Sequence, residues 1–388
     1  MDFFKKKDQL LPPPWEQTFS LKIMLVIGLL ILPGMLAIQS FVQNITMEVV
    51  QIADMTVARA AHQANLLPSG DVLITGGCTG KCRTQLASTE IYNSTTKTFR
   101  PSTPMQLPRA SHVATTLKNG QVLIAGGWTN GNVTATAEIY DHKTGKFRTV
   151  IEMKEARGAP TANLLQNGRV LIAGGHNSSL ASIASAEVFD PASSGFIQVG
   201  SMNSPRTAHT SVLLQNGKVL ITGGKNDRNG KVLTSAEIFD PVTGKFQRTG
   251  EMSFPRHKHG AVLLKDGKVM IIGGSNHRDY SGRYQSTEIF DPATGRFSQG
   301  PDMINPRFKL PDAVVALPGG NVVVAGGDTP LEHYDQIKNA FIKIEGEYKE
   351  SREFSTATLL NDGNVLLLGG YDEEINTWAT AWLIENRP

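Results

Sequence analysis

The sequence predicts an all-β protein, a seven-bladed β-propeller that follows one N-terminal transmembrane helix. Three observations support this fold class. Paired glycines recur seven times at a spacing of about fifty residues, a period typical of propeller blades. Each pair ends an apolar run that follows a turn dipeptide, and one long uncharged stretch lies ahead of the first repeat.

The uncharged stretch covers residues 23–42 and is long enough to cross the roughly 30 Å of hydrocarbon in a bilayer. Lysines are concentrated before it, in residues 1–22, and the positive-inside rule therefore predicts a cytoplasmic N-terminus. We expect 1–22 to be a cytoplasmic tail, 23–42 to lie in the lipid bilayer, and the propeller to be periplasmic or extracellular. A cleaved signal peptide is the alternative, although the leader is long and no small-residue cleavage site follows the apolar core.

Composition places the rest of the chain among compact, turn-rich proteins. It has 38 glycines, 40% hydrophobic residues and only 19% charged residues, whereas disordered chains have too little apolar surface to bury. The net charge is +3 and includes Lys5, Lys6 and Lys7, so the predicted propeller has almost no excess positive charge. Nucleic acid is therefore not an expected partner.

Each repeat is interpreted as four antiparallel strands, named A to D in chain order. A dipeptide such as Asn119-Gly120 joins A to B, because these residues accept the positive φ of a tight hairpin turn. Strand B ends at the glycine pair, and a variable loop leads to strands C and D. Short antiparallel strands repeated radially form propeller blades. The glycine pairs are Gly76-Gly77, Gly126-Gly127, Gly174-Gly175, Gly223-Gly224, Gly273-Gly274, Gly326-Gly327 and Gly369-Gly370.

The repeats resemble the kelch motif in their paired glycines, the aromatic residue of strand C and the later aromatic residue of strand D. The resemblance covers about residues 48 to 388 and implies a kelch-type propeller. The sixth repeat departs from the pattern, with a short B-to-C loop and an irregular strand D. The strand D aromatic residues are phenylalanines where many kelch repeats have tryptophan: Phe99, Phe147, Phe196, Phe246 and Phe297.

The repeat pattern also predicts how the ring closes. The last repeat ends after strand C at 381–384, whereas the segment 48–53 precedes the first strand A without a blade of its own. We expect 48–53 to supply strand D of the seventh blade, so that the domain 48–388 is closed by its two terminal segments. Residues 43–47 would then be a short tether to the bilayer.

Charged and titratable residues recur at fixed positions in the repeat. An arginine is expected to begin each strand A, and a glutamate is expected to begin most C strands. This pattern predicts structural ion pairs between the two, and a charged ring around the channel is the alternative. Histidines three residues after four of the arginines could bind a metal, but packing is their expected role because no carboxylate accompanies them in register. No metal or cofactor is expected. The histidines are His62, His112, His209 and His259.

The B-to-C loops differ among repeats and are expected to share one face with the D-to-A loops, which makes that face the predicted binding surface. Basic and aromatic residues there could stack on sugars or pair with anionic groups, and ordinary solvated loop residues are the alternative. In the first loop, Cys78 and Cys82 could form a disulfide in an exported propeller, and reduced thiols are the alternative if the chain is not exported. The candidate binding residues are Trp128, His176, Lys225, Arg228, His277, Arg278, Tyr280, Arg283 and Tyr284.

The expected function is that of a non-enzymatic, membrane-anchored interaction module that binds a protein partner or a cell-surface glycan, as an accessory subunit of a membrane complex. The alternative is a carbohydrate-active or oxidase-like enzyme, because the repeats are similar to the propeller of copper radical oxidases related to galactose oxidase. That resemblance implies a Cys-Tyr cofactor with further Tyr and His ligands, and no Tyr-His pair lies in a loop near the channel. A glycoside hydrolase needs two carboxylates facing one cleft, whereas the acids here belong to the repeat.

Overall fold

The computed structural model describes residues 46–150 and 152–387. The chain divides into two units, and the larger one, Met47–Asn386, consists of seven antiparallel sheets arranged as the blades of a propeller. The predicted all-β, seven-bladed architecture is confirmed. The apolar segment 23–42, predicted to span a membrane, lies outside the described residues. Within the described part of the chain, no helix is both long and apolar enough to cross a bilayer.

The inner half of each blade is a hairpin of strands A and B. Strand B is buried along its whole length in every blade, because neighbouring blades cover both of its faces. The A strands are Gln63–Leu66, Val113–Thr116, Thr161–Leu164, Thr210–Leu213, Gly260–Leu263, Val314–Ala316 and Thr356–Leu359. The B strands are Val72–Thr75, Val122–Ala125, Val170–Ala173, Val219–Thr222, Val269–Ile272, Val322–Val324 and Val365–Leu368.

The outer half of each blade is formed by strands C and D, whose aromatic residues meet across the pair; the rings of Tyr140 and Phe147, for example, are 5.0 Å apart. The C strands are Thr89–Asn93, Ala137–Asp141, Ala186–Asp190, Ser235–Asp240, Thr287–Asp291, Glu332–Asp335 and Ala381–Arg387. The D strands of blades one to six are Thr98–Ser102, Lys146–Thr149, Gly195–Gln198, Lys245–Glu251, Arg296–Gln299 and Ala340–Lys343.

The seventh blade brings together the two ends of the propeller. Its strand D is Thr46–Gln51, which lies beside strand C, Ala381–Arg387. This strand begins two residues before the expected segment 48–53, so residues 46 and 47, assigned to the tether, belong to the sheet. A two-residue strand, Glu345–Gly346, pairs with the outer edge of Thr46–Gln51 in parallel.

The loops divide between two faces of the ring. The B–C and D–A loops form one face, named the loop face, and the A–B and C–D turns form the opposite turn face. Three B–C loops contain a two-stranded ribbon, and that of blade five contains a 3-10 turn, Asp279–Gly282. The ribbons pair Cys78–Thr79 with Thr84–Gln85, Trp128–Thr129 with Asn132–Val133, and Lys225–Asn226 with Lys231–Val232.

Apolar cores lie between neighbouring blades. Leu123 and Ile139 of the second blade, for example, pack in one cluster with Ile172 and Phe189 of the third. Each blade is therefore buried by the next, and no blade has a complete core of its own.

The glycine pairs join each blade to the next. The N–H of the second glycine donates to the carbonyl oxygen of the arginine in the following D–A loop, at 2.7 Å from Gly77 to Arg109 and at 2.9 Å from Gly370 to Arg59, where the ring closes. Only glycine suits these positions. The φ angle of Gly223 is +59°, and a side chain there would overlap the backbone of the next blade.

Replacing Gly223 with alanine is expected to lower the free energy of unfolding by about 2 kcal/mol or more, because the positive φ alone costs about 1 kcal/mol and the new Cβ would overlap Arg256 O and the His259 ring. Gly230→Ala is the matched control, since Gly230 has a φ of +69° and nothing within 4 Å of an added Cβ. Urea-induced unfolding measures both variants. Equal losses would show that close contact with the next blade does not require this glycine.

Candidate functional site

The repeat arginines are buried ion-pair partners that lie in the D–A loops, ahead of strand A and not at its first residue as predicted. Arg206 Nη1 donates to Gly223 O at 2.6 Å, and its Nη2 is 2.8 Å from Glu237 Oε1. All seven arginine side chains are 0% exposed, which excludes the alternative of a charged ring around the channel. The pairs are Arg59–Glu90, Arg109–Glu138, Arg157–Glu187, Arg206–Glu237, Arg256–Glu288 and Arg307–Glu332.

The seventh blade holds its arginine differently. Trp382 occupies the strand C position that is a glutamate in the other blades. Arg352 pairs instead with Glu350, a partly exposed residue two positions before it in the chain. This blade therefore keeps the ion pair without the repeat glutamate.

The repeat histidines link adjacent blades. His112 Nε2 is 2.9 Å from the Thr75 hydroxyl of the preceding blade, and His209 Nε2 is 3.0 Å from that of Thr161. Burial, assisted by a nearby arginine, lowers the pKa of both imidazoles to about 3, so they are neutral at physiological pH. Their predicted packing role agrees with these contacts.

A ring of seven residues, one from each D–A loop, surrounds the mouth of the channel; we name it the mouth ring. Each member follows its arginine by two positions and has a positive φ, a conformation that non-glycine residues rarely adopt and that concentrates at functional sites. Backbone hydrogen bonds run around the ring, as from Ser111 N–H to Ala61 O at 2.9 Å. Its members are Ala61, Ser111, Ala159, Ala208, Lys258, Lys309 and Phe354.

The mouth ring opens into a cavity of about 410 Å³ in the channel, and the first residues of several A strands line this cavity. Blades one to four contribute only alanine and serine to the ring, whereas blades five to seven contribute Lys258, Lys309 and Phe354. Trp128 and His176, from two B–C loops, also line the cavity, with their rings 6.0 Å apart. The mouth ring itself therefore has small side chains in blades one to four and charged or aromatic side chains in blades five to seven.

Lys258 is held by the B–C loop of its own blade. Its Nζ donates to Asp279 Oδ1 at 2.8 Å, and His257 Nε2 is 3.2 Å from the same oxygen. Burial, reinforced by the charge of Lys258, lowers the pKa of His257 to about 4. The imidazole is thus neutral near pH 7, and Lys258 supplies the positive charge that balances Asp279.

Lys309 is enclosed by aromatic rings and one carboxylate. Its Nζ is 4.5 Å from the ring centroid of Tyr280 and 5.0 Å from that of Tyr371, and it is paired with Glu353. Burial lowers the pKa of Lys309, and Glu353 opposes this shift. The Tyr280 hydroxyl donates to Glu353 Oε2 at 2.8 Å, which closes a network across blades five to seven.

The sixth blade places a carboxylate inside the cavity. Its strand A begins at Val314, seven positions after Arg307, whereas the other A strands begin four positions after their arginine. Asp312 lies in the extra turn, where its Oδ2 accepts a hydrogen bond of 3.0 Å from Gln63 Nε2 of the first blade. Although the side chain is in contact with water, the surrounding protein raises the pKa of Asp312 to about 6, and the Gln63 hydrogen bond only partly opposes this.

The predicted binding residues are all on the loop face, but they do not form one site. Trp128 and His176 line the cavity, and His176 shares Asp227 with Lys225, at 3.4 and 3.2 Å. Arg228, His277 and Arg278 are exposed at the tips of the fourth and fifth B–C loops.

Three of the predicted residues are engaged with other side chains. Tyr280 belongs to the Lys309 network described above. Arg283 Nη1 lies 3.6 Å from Asp328 Oδ2 of the next blade. The Tyr284 ring lies 4.8 Å from the buried guanidinium of Arg256, so this ring helps to hold the repeat arginine.

The two cysteines are joined in the first B–C loop. The sulfur atoms of Cys78 and Cys82 are 2.02 Å apart, and Cys78 also packs with Ala60, Ala110 and Tyr371 beside the mouth ring. The bond joins the first strand of the ribbon, Cys78–Thr79, to the turn that precedes its second strand.

Three charged or aromatic residues of the D–A loops were not predicted from the sequence. Lys258, Lys309 and Phe354 stand where blades one to four have alanine or serine, and this loss of repeat symmetry was the available signal. Asp312 had a second signal, since the sixth repeat has a longer interval between its arginine and strand A.

The comparisons with known proteins agree with the architecture. The kelch motif model matches residues 109–154, 206–253 and 256–304, which correspond to blades two, four and five. A solved structure of a fungal alcohol oxidase of the AA5 family, in complex with copper, is similar in fold, with a TM-score of 0.69 and 17% identity over 87% of this chain and 75% of the oxidase chain. No curated protein matches the chain in sequence.

The residues that the structure describes do not fit a copper site of that kind. Cys78 and Cys82 are bonded to each other, and His112 and His209 are hydrogen-bonded to threonines of neighbouring blades. Among residues 46–150 and 152–387, no three His, Cys, Asp or Glu side chains are grouped so that they could hold a metal ion.

Replacing Asp312 with asparagine is expected to raise the midpoint of thermal unfolding at about pH 8 and to leave it unchanged near pH 4. The native pKa of about 6 lies above the ordinary value of 3.8, so the native state binds the proton more tightly than the unfolded state. The resulting stability is complete below the unfolded pKa and is lost as the pH rises through 6. Thermal unfolding across this pH range tests the effect.

The control for this measurement is Asp266→Asn, which makes the same change of charge in an exposed A–B turn on the turn face. The difference in the midpoint of thermal unfolding between this control variant and the unmodified chain is expected to stay nearly constant across the same pH range. A constant difference for Asp312→Asn as well would contradict the assigned titration.

Proposed function

Because the chain is a kelch-repeat β-propeller, we propose that it is a protein-interaction module whose partner binds the loop face. Propellers of this kind present variable loops on a rigid ring, and binding residues are commonly located on such loops. The partner would contact the mouth ring together with the B–C loops of blades four and five. The interaction itself requires no catalytic group.

The observation that carries this proposal is the departure of the loop face from the repeat pattern. The arginines, glutamates and histidines that repeat from blade to blade are buried, and they hold the ring together. The residues that differ between blades, such as Lys258, Lys309 and Phe354, lie around the mouth. Exposed Arg228 and Arg278 extend this non-repeating surface outward.

A protein partner is favoured over a glycan by the state of the two tyrosines in the fifth B–C loop. Sugar rings stack on free aromatic faces, but the Tyr284 ring has Arg256 at 4.8 Å and Phe254 at 5.8 Å. Tyr280 is only 39% exposed and has Lys309 over its ring. These two tyrosines therefore offer little face to a sugar.

We further propose that the apolar segment 23–42 anchors the chain in a membrane, with the propeller outside the cytoplasm as part of a larger membrane complex. The supporting observations are the absence of charge in that segment, the lysines before it and the Cys78–Cys82 disulfide. Disulfides persist in oxidising compartments and are rare in the cytosol.

The proposed face is tested with the photo-crosslinking amino acid p-benzoylphenylalanine, placed at His277 or Arg278 on the loop face. Val242 and Ile337, which are 92% and 82% exposed in C–D turns, provide matched positions on the turn face. We expect both loop-face positions to yield an adduct with the same protein, identified by mass spectrometry. Adducts from the turn face alone, or from neither face, would refute the proposed surface.

The proposed anchor is tested by alkaline carbonate washing of membranes from cells that express the full-length chain. The full-length chain is expected to stay in the pellet, whereas a variant that lacks residues 2–42 is expected to be soluble. A variant that lacks only 2–22 is the control and should remain in the pellet, because it keeps the apolar segment. Recovery of the full-length chain in the wash, or of a chain without its first forty or so residues, would rule out a retained anchor.

A further inference from the structure

The cations at the channel mouth are already neutralised within the protein. Each lies within 4.0 Å of a carboxylate from the same or a neighbouring loop, and the distance from Lys258 Nζ to Asp279 Oδ1 is 2.8 Å. An incoming anion would have to compete with these carboxylates. The pairs are Lys225–Asp227, Lys258–Asp279, Arg283–Asp328 and Lys309–Glu353.

Asp312 is the exception in this charge balance. Within residues 46–150 and 152–387 it forms no ion pair, and its carboxylate accepts a hydrogen bond from the neutral amide of Gln63. The Asp312 side chain is exposed to solvent in the cavity, and no cation among the described residues balances its charge. Such a group is expected where it has a use, because residues that serve binding are often retained at a cost in stability.

The cavity around Asp312 has the size and lining of a ligand site. Its volume of about 410 Å³ lies in the range of small-molecule pockets, and it opens to solvent through the mouth ring. The neutral walls come from alanine and threonine side chains of the A strands. Trp128 and Phe354 add two aromatic rings, and aromatic faces attract cations and pack against alkyl chains.

We propose that this cavity binds an alkylammonium or guanidinium group, which pairs with Asp312 while the attached alkyl chain lies against Trp128 and Phe354. The proposal rests on the proposed function, since it identifies the group of the partner that enters the channel as a lysine or arginine side chain. A free amine has the same chemistry and is the other possible source. The carboxylate supplies the charge, and the small side chains of blades one to four leave the entrance open.

The test is a titration of the full-length chain in mild detergent, followed by saturation-transfer NMR of the ligand up to about 10 mM. The probes are the peptide acetyl-Gly-Gly-Lys-Gly-Gly-amide, the same peptide with norleucine in place of lysine, and n-butylammonium. We expect saturable binding of the lysine peptide and none of the norleucine peptide. Asp312→Asn should weaken the affinity by about tenfold or more, and Asp266→Asn should leave it unchanged.

Loss of binding in Asp312→Asn would not be due to misfolding, because this variant is expected to be at least as stable as the unmodified chain near neutral pH. A second variant, Trp128→Leu, keeps an apolar side chain and should weaken binding less than Asp312→Asn. Saturable binding of butylammonium but not of the lysine peptide would identify a free amine as the ligand. The absence of saturable binding by either cation, or equal affinity in Asp312→Asn, would overturn the proposal.

The two proposals can fail separately. A protein that crosslinks to Arg278 while the cationic probes do not bind would leave the interaction module in place and remove the amine site. Binding of the probes without any loop-face adduct would keep the amine site and remove the interaction module, since the cavity would then bind a small amine without a protein partner.

Discussion

The contact on which the propeller depends is the one between each repeat arginine and two glycine pairs. The guanidinium binds the carbonyl of its own blade's glycine pair, as Arg206 does with Gly223, and its backbone carbonyl accepts from the glycine pair of the preceding blade, as Arg206 does from Gly175. Repeated seven times, this contact connects every blade to both neighbours. The glutamate of strand C makes a buried arginine tolerable, because a buried charge without a partner is strongly unfavourable.

This constraint also decides where variation is permitted. The two glycines of a blade are fixed because an added side chain would overlap the neighbouring blade. The arginine is fixed by its hydrogen bonds to two glycine pairs, as for Arg206. The residue two positions after the arginine has a fixed backbone but a side chain directed to the mouth, so Ala61 and Lys309 occupy equivalent positions. The scaffold thus offers seven equivalent places at which side chains can change without disturbing the ring.

The fold was largely predictable from the sequence because its signals are local and repeated. Glycine pairs, turn dipeptides and strand patterns recur, and the incomplete first and last repeats pointed to a shared blade. The candidate site was less predictable. Trp128 and His176 were found as loop residues, but the pairing of Asp312 with Gln63 joins residues that are 249 positions apart. Lys309 was not predicted because residues of three blades form its environment, and the sequence of no single blade shows that they come together.

The placement of Thr46–Gln51 beside Ala381–Arg387 has a consequence for the synthesis of the protein. Six blades can assemble as the chain is made, whereas the first strand has no partner until the two-residue strand Glu345–Gly346 is made, and its full-length partner comes only with residues 381–387. At translation rates of about 5 to 20 residues per second, this strand is unpaired for on the order of tens of seconds. Its edge is exposed to other chains during that time, and this interval is the point at which a chaperone would protect the nascent ring from aggregation.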